Sequence, residues 1–201
     1  MFKNKHEGKF IAIEGLDGSG ATTQAMKISE WLKRSVWLTQ EPTNGVIGAM
    51  IKSALTGDWK MDNPAGLQLL FAADRANHLE KEIIPRLEKG INVITDRYFL
   101  SSIAYGSLEI DDTEWLFHIN EQFLLPDLTI LVAATAKTCA KRLKDDFRTL
   151  ALANNEEKMQ KVWQTYEKIS KKYPNIKVVD GEKEEEEIFE EIKKEIGKII
   201  K

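Results

Sequence analysis

Five short apolar runs, at about 10–14, 36–40, 91–95, 128–133 and 176–179, punctuate the chain, each bounded by turn residues and each followed by a segment of helical periodicity. Runs that stay apolar at consecutive positions, without alternation, are expected of strands buried on both faces, as in a parallel sheet. Strict alternation of strand and helix then predicts an α/β fold, a parallel five-stranded sheet with helices on both faces and right-handed crossovers between strands. Ligands of such sheets gather outside the carboxyl ends of the strands. The polar residues there form the functional inventory: Glu14 and Asp17 after the first run, Gln40 to Thr43 after the second, Asp96 and Arg97 after the third, Asp180 and Gly181 after the last. The acidic run Glu184 to Glu187 reads as the first turn of a closing helix, where negative charge favours the helix dipole.

The first strand breaks into Gly15-Leu16-Asp17-Gly18-Ser19-Gly20-Ala21-Thr22-Thr23. Gly15, Gly18 and Gly20 let successive N–H groups converge on an anion, and a helix beginning near Ala21 adds its positive end. Thr22 can offer a hydroxyl to Mg²⁺. This is the spacing of a phosphate-binding loop, G-x-x-x-x-G-K-[ST], with Ala21 in place of the lysine. The sheet is therefore expected to be of the P-loop NTPase type. An aspartate at the end of an apolar strand, such as Asp96, suits a carboxylate that holds Mg²⁺ or its waters, the plainer alternative being a cap for the helix near Phe99. Arg97 can bridge two phosphates, or pair with a neighbouring carboxylate.

A second signal lies in Leu67 to His78, where Phe71, Asp74, Arg75 and His78 share one helix face. An aromatic ring beside a guanidinium suits a planar base, stacked and bonded at its edge. A core phenylalanine beside a surface ion pair is the alternative, and by periodicity alone the commoner one.

Composition narrows the classes. With 29 basic and 32 acidic residues among 201, the net charge is −3, which argues against a general nucleic-acid binder. The length suits one domain. A single cysteine, Cys139, rules out an internal disulfide and is expected to pack as a small apolar group. No signal peptide and no apolar run near the roughly 18 residues of a membrane span are seen, so a cytoplasmic protein without membrane contact is expected.

Taken together, Glu14 to Gly20 with Thr22-Thr23-Gln24, Glu41-Pro42, Leu70 to Ala76, Asp96-Arg97-Tyr98 with Ser101-Ser102 and Ala104-Tyr105, and Pro126 to Thr129 resemble the thymidylate kinase family in order and nearly end to end. The resemblance implies transfer of the γ-phosphoryl group of ATP to dTMP, Mg²⁺ as cofactor, and a homodimer. It implies that Phe71 stacks on thymine, Arg75 bonds its O4 edge, and Ser101 or Ser102 lies near the base. Tyr105 would lie against the deoxyribose, Asp17 would meet the 3′-hydroxyl, and Glu41 would belong to the acceptor site. Asp96 and Arg97 would manage the metal and phosphates. ATP would occupy Gly15 to Thr23, its adenine near Thr23, a lid and the Asp180-Gly181 loop. Two readings stay open beside this one: a kinase of another deoxynucleoside monophosphate, and a silent nucleotide-binding homologue.

Departures from the family pattern are Ala21 for the lysine, Gln40 for an arginine before Glu41-Pro42, Gly106 for the glutamine after the tyrosine, and a short lid around 141–153. Cations facing the phosphates contribute about 10³ to 10⁵ in rate, roughly 4 to 7 kcal/mol, so the loss of two calls for replacement. Arg142, Lys144 and Arg148 of the lid are the candidates, a solvated helix face being the plainer role.

Overall fold

The computed structural model describes residues 1–143 and 155–200. The five predicted strands are present as β1 (Phe10–Gly15), β2 (Val36–Gln40), β3 (Asn92–Asp96), β4 (Leu128–Ala133) and β5 (Ile176–Asp180), all parallel, in the order β2-β3-β1-β4-β5. The central strand β1 is buried at all six positions, which is why it reads as an unbroken apolar run. Successive side chains still alternate between faces. Phe10 and Ala12 join one apolar cluster, and Ile11 and Ile13 join another.

Helices cover both clusters. On the face of Ile11 and Ile13 lie α1 (Ala21–Leu32) and the closing helix α8 (Glu185–Ile196), contributing Ala21, Ala25 and Ile28 and then Ile188, Phe189, Ile192 and Ile196. Glu184 caps α8, its N–H donating to Glu187 Oε2 at 3.3 Å, as the acidic run anticipates. On the other face pack α4 (Phe99–Gly106), α5 (Thr113–His118), α6 (Ala136–Leu143) and α7 (Glu156–Ser170). Cys139 is buried on α6, in the small apolar role expected of it.

Between β2 and β3 the chain forms α2 (Val46–Thr56) and α3 (Pro64–His78), which pack on each other. Asn63 caps α3, its side chain accepting from the Ala65 N–H. The helix continues through a π-helical stretch, Leu79–Ile83, ahead of Pro85, whose missing N–H cannot extend the ladder. One pairing has no signature in the polar start of the chain: Phe2–Lys3 runs parallel to Leu124–Leu125.

Candidate functional site

The glycine loop turns sharply between β1 and α1. Gly18 and Gly20 adopt left-handed backbone, with φ of 80° and 97°, and a Cβ on Gly15 would stand 2.4 Å from Ser19 Oγ. Leu16 anchors the loop in the core, while Thr22 and Thr23 lie exposed on the first turn of α1. Ala21 is only 5 % exposed and packs in the apolar cluster of Ile11 and Ile13. Arg142 of α6 reaches over the loop: Nη1 donates to the carbonyls of Ser19 (3.2 Å) and Gly18 (3.5 Å), and Nη2 donates to Gly181 beyond β5 (3.1 Å). A guanidinium therefore already lies on a loop that has no lysine. Lys144 and Arg148 lie outside the described residues. Asp180 is exposed at the end of β5, its Oδ1 accepting from the Glu182 N–H at 3.0 Å.

Arg97 sits immediately after β3 with a φ of 68°, a left-handed conformation that costs a non-glycine residue roughly 1 to 3 kcal/mol and is tolerated where surroundings over-determine it. Here they do. The Arg97 N–H donates to Ile13 O (2.9 Å), Nη1 donates to Gly15 O (3.1 Å) and Ser101 Oγ (3.0 Å), and Nη2 pairs with Asp17 Oδ1 at 2.5 Å. Burial works against the charge, but the combined attraction of Asp17, Tyr105, Tyr166 and Asp96 outweighs it and raises the Arg97 pKa. Arg97 thus makes the carboxylate pair weighed above, and does so at the mouth of the loop. Beneath it, Glu14 is fully buried and accepts from the N–H groups of Tyr98 (2.9 Å) and Ser101 (3.3 Å) and from the Tyr166 hydroxyl (3.1 Å). Burial pushes the Glu14 carboxyl up to about 7, against the pull of Ser101, Arg97 and Tyr98.

All eight residues expected at an acceptor site, Asp17, Glu41, Phe71, Arg75, Arg97, Ser101, Ser102 and Tyr105, line one cavity of about 580 Å³. Within it Tyr105 accepts through its hydroxyl from the Asp17 N–H at 3.0 Å. The surface ion pair considered for Arg75 is instead a buried one, because Arg75 and Glu41 side chains are 1 % and 3 % exposed. Nε donates to Glu41 Oε2 (2.9 Å), Nη1 to Asn120 Oδ1 and Nη2 to Ser102 Oγ (2.9 Å), with the Tyr98 ring stacked at 5.0 Å. The other Glu41 oxygen lies 3.1 Å from His78 Nδ1, and Asp74 accepts from the Thr43 N–H and hydroxyl, both at 2.7 Å. The α3 face thus holds its Arg75 rigidly, and Ser102, not Ser101, is the serine beside it. Ser101 serves Arg97 and Glu14.

Asp96 does not cap α4, whose N-terminal cap residue is Tyr98, with no side-chain capping bond. Its Oδ1 is buried without a partner among the described residues, and it lines a second cavity, of about 550 Å³, together with Thr22, Gln40 and Thr43. An orphaned carboxylate oxygen and a threonine hydroxyl lining one cavity are hard donors of the kind that suit Mg²⁺. Two partners of the site, Tyr166 and Asn120, escaped sequence reasoning, and a third, Glu14, was in the inventory of strand-end residues without a role. Tyr166 and Asn120 come from distant segments with no motif around them.

A parallel sheet, a glycine loop feeding a helix N-terminus, and an adjoining cavity with a ring and guanidinia define a P-loop phosphotransferase. The comparisons make the class specific. The thymidylate kinase family profile matches residues 13–192, and the chain belongs to that family. A "Probable thymidylate kinase" of Pyrococcus abyssi is 37% identical over 192 residues, covering 92% of this chain and 94% of its own. The "Thymidylate kinase" of Caldicellulosiruptor saccharolyticus is 34% identical over 204 residues, covering 97% and 98%. The solved thymidylate kinase of Candida albicans superposes with a TM-score of 0.84 at 27% identity, covering 97% of this chain and 93% of that one.

Proposed function

We infer that the protein transfers the γ-phosphoryl group of ATP to dTMP, giving dTDP and ADP and feeding dTTP synthesis. The observation that carries this reading is that Asp17 and Arg97 belong both to the rim of the glycine loop and to the wall of the 580 Å³ cavity, so donor and acceptor phosphates would meet there. Loop N–H groups from Gly15 to Thr23 would bind the ATP phosphates, with adenine towards Thr23, Arg142 and Asp180. Across the cavity, Phe71 would stack on the base, Arg75 and Ser102 would face its edge, and Tyr105 would pack against the sugar near Asp17. Glu41 holds Arg75 in place.

Phosphoryl transfer of this type needs positioning and charge stabilisation and no covalent intermediate. Arg97 would let go of Asp17 to bind phosphate, freeing that carboxylate for the 3′-hydroxyl. Thr22 and Asp96 would hold Mg²⁺, which would supply positive charge against the phosphates. The homodimer implied by the family finds support in α2 and α3, which expose Val46, Met50 and Leu69. No helix among the described residues is long and apolar enough to cross a membrane. A coupled assay for ADP tests the reading: dTMP-dependent ADP release supports it, and ATP binding without such release refutes it.

A further inference from the structure

Helix α3 turns three side chains towards the acceptor cavity at i, i+3 and i+7: Gln68, Phe71 and Arg75. The first has no role so far. Gln68 is 6 % exposed, and its Oε1 is buried with no hydrogen-bond partner among the described residues. Buried amide oxygens are almost always satisfied, and one without a partner on a residue that lines a cavity calls for an explanation. The fold makes room for this one. A Cβ added to Gly106, the last residue of α4, would stand 3.0 Å from Gln68 Cδ and 3.2 Å from Nε2, so a larger residue there would crowd the amide out of its seat.

We propose that Gln68 is a specificity-determining residue that reads the acceptor base, pairing its carboxamide with the N3–H and adjoining carbonyl of a thymine or uracil. This rests on the acceptor reading of the cavity given above. A carboxamide presents an acceptor beside a donor, the complement of N3–H beside a carbonyl. Cytosine presents the reverse pair, and a rotated amide could meet it. Arg75 removes that freedom, because a guanidinium only donates and its neighbour on the base must be a carbonyl, where cytosine carries an amino group. Phe71, lying between them on the helix, supplies the flat surface that fixes the plane of the ring. The base would then supply the partner that the Gln68 oxygen lacks among the described residues.

The test is Gln68→Leu, which keeps the volume and removes the amide, with Gln68→Met as a second apolar replacement. For each, kcat/KM is measured with dTMP and with dCMP beside KM for ATP and a thermal melt. The expected result is a fall of about tenfold or more for dTMP, a dTMP-to-dCMP preference reduced by a similar factor, an unchanged KM for ATP, and a melting temperature that is unchanged or higher. A folded variant that keeps the wild-type preference, or that loses both substrates equally, overturns the role of Gln68 alone. Absence of dTMP turnover in the wild type overturns the acceptor reading and this inference with it.

Discussion

Replacing Arg97 by alanine perturbs the cation that, among the described residues, joins the glycine loop to the 580 Å³ cavity. The change removes donors to Gly15 O at 3.1 Å and Ser101 Oγ at 3.0 Å, together with the 2.5 Å pair to Asp17. In phosphoryl transfer a guanidinium on the transferring group is worth about 10³ to 10⁵ in rate. The lower end applies, because part of the Arg97 charge is spent on Asp17 before substrate arrives, and 10³ corresponds to about 4 kcal/mol of barrier. The fold should suffer less. Arg97 and Asp17 side chains are each 23 % exposed, so their pairing is partly screened by water, and alanine inherits the same left-handed backbone. Steady-state turnover with ATP and dTMP, beside a thermal melt, should show kcat lowered by at least about 10³ with a small change in KM for ATP. A folded variant holding more than about a tenth of the wild-type kcat refutes the assignment.

Three further outcomes are expected. Arg75→Ala strands the Glu41 carboxylate in the interior, which should cost about 3 to 5 kcal/mol in a urea melt and also weaken dTMP binding by about 1 to 3 kcal/mol; a loss of stability under about 1 kcal/mol would contradict the buried pair. Glu14 holds its proton up to about pH 7 when folded against 4.5 as its ordinary value, so its contribution to stability is fully present below 4.5 and is lost as pH rises through 7. The difference in unfolding free energy between wild type and Glu14→Gln should therefore shift by about 3 kcal/mol across that window and stay flat above it, and a flat difference throughout would be inconsistent with the shift. Finally, with Arg142 already on the loop carbonyls, Arg142→Ala should lower kcat more than about tenfold while Ala21→Lys gains little; the opposite pair of results would mark a disabled loop without a substitute.

Burial along one element is written into local periodicity, so the strands were legible. Leu128–Ala133 falls where its apolar run places it, because a strand covered on both faces must be apolar at nearly every position, and the half-buried edge strand Val36–Gln40 keeps only its first three positions apolar. The glycine loop was legible for a different reason: left-handed backbone at Gly18 and Gly20 admits few other residues. The shared face of Phe71 and Arg75 followed from helical spacing, and the gathering of eight residues on one cavity followed from motif order. Tertiary structure decided the remainder. Whether Arg75 met solvent or a buried carboxylate depended on Glu41 and Asn120, which stand 34 and 45 residues away. Glu14 became a fully buried acid only because α4 and α7 bring Tyr98, Ser101 and Tyr166 onto it from 84 to 152 residues along the chain. Gln68 carries no signal of its own in the sequence, and its setting depends on Gly106, which packs against its amide. Such pairings depend on how helices dock across a sheet, and periodicity reports only which side of an element is hidden, not what hides it.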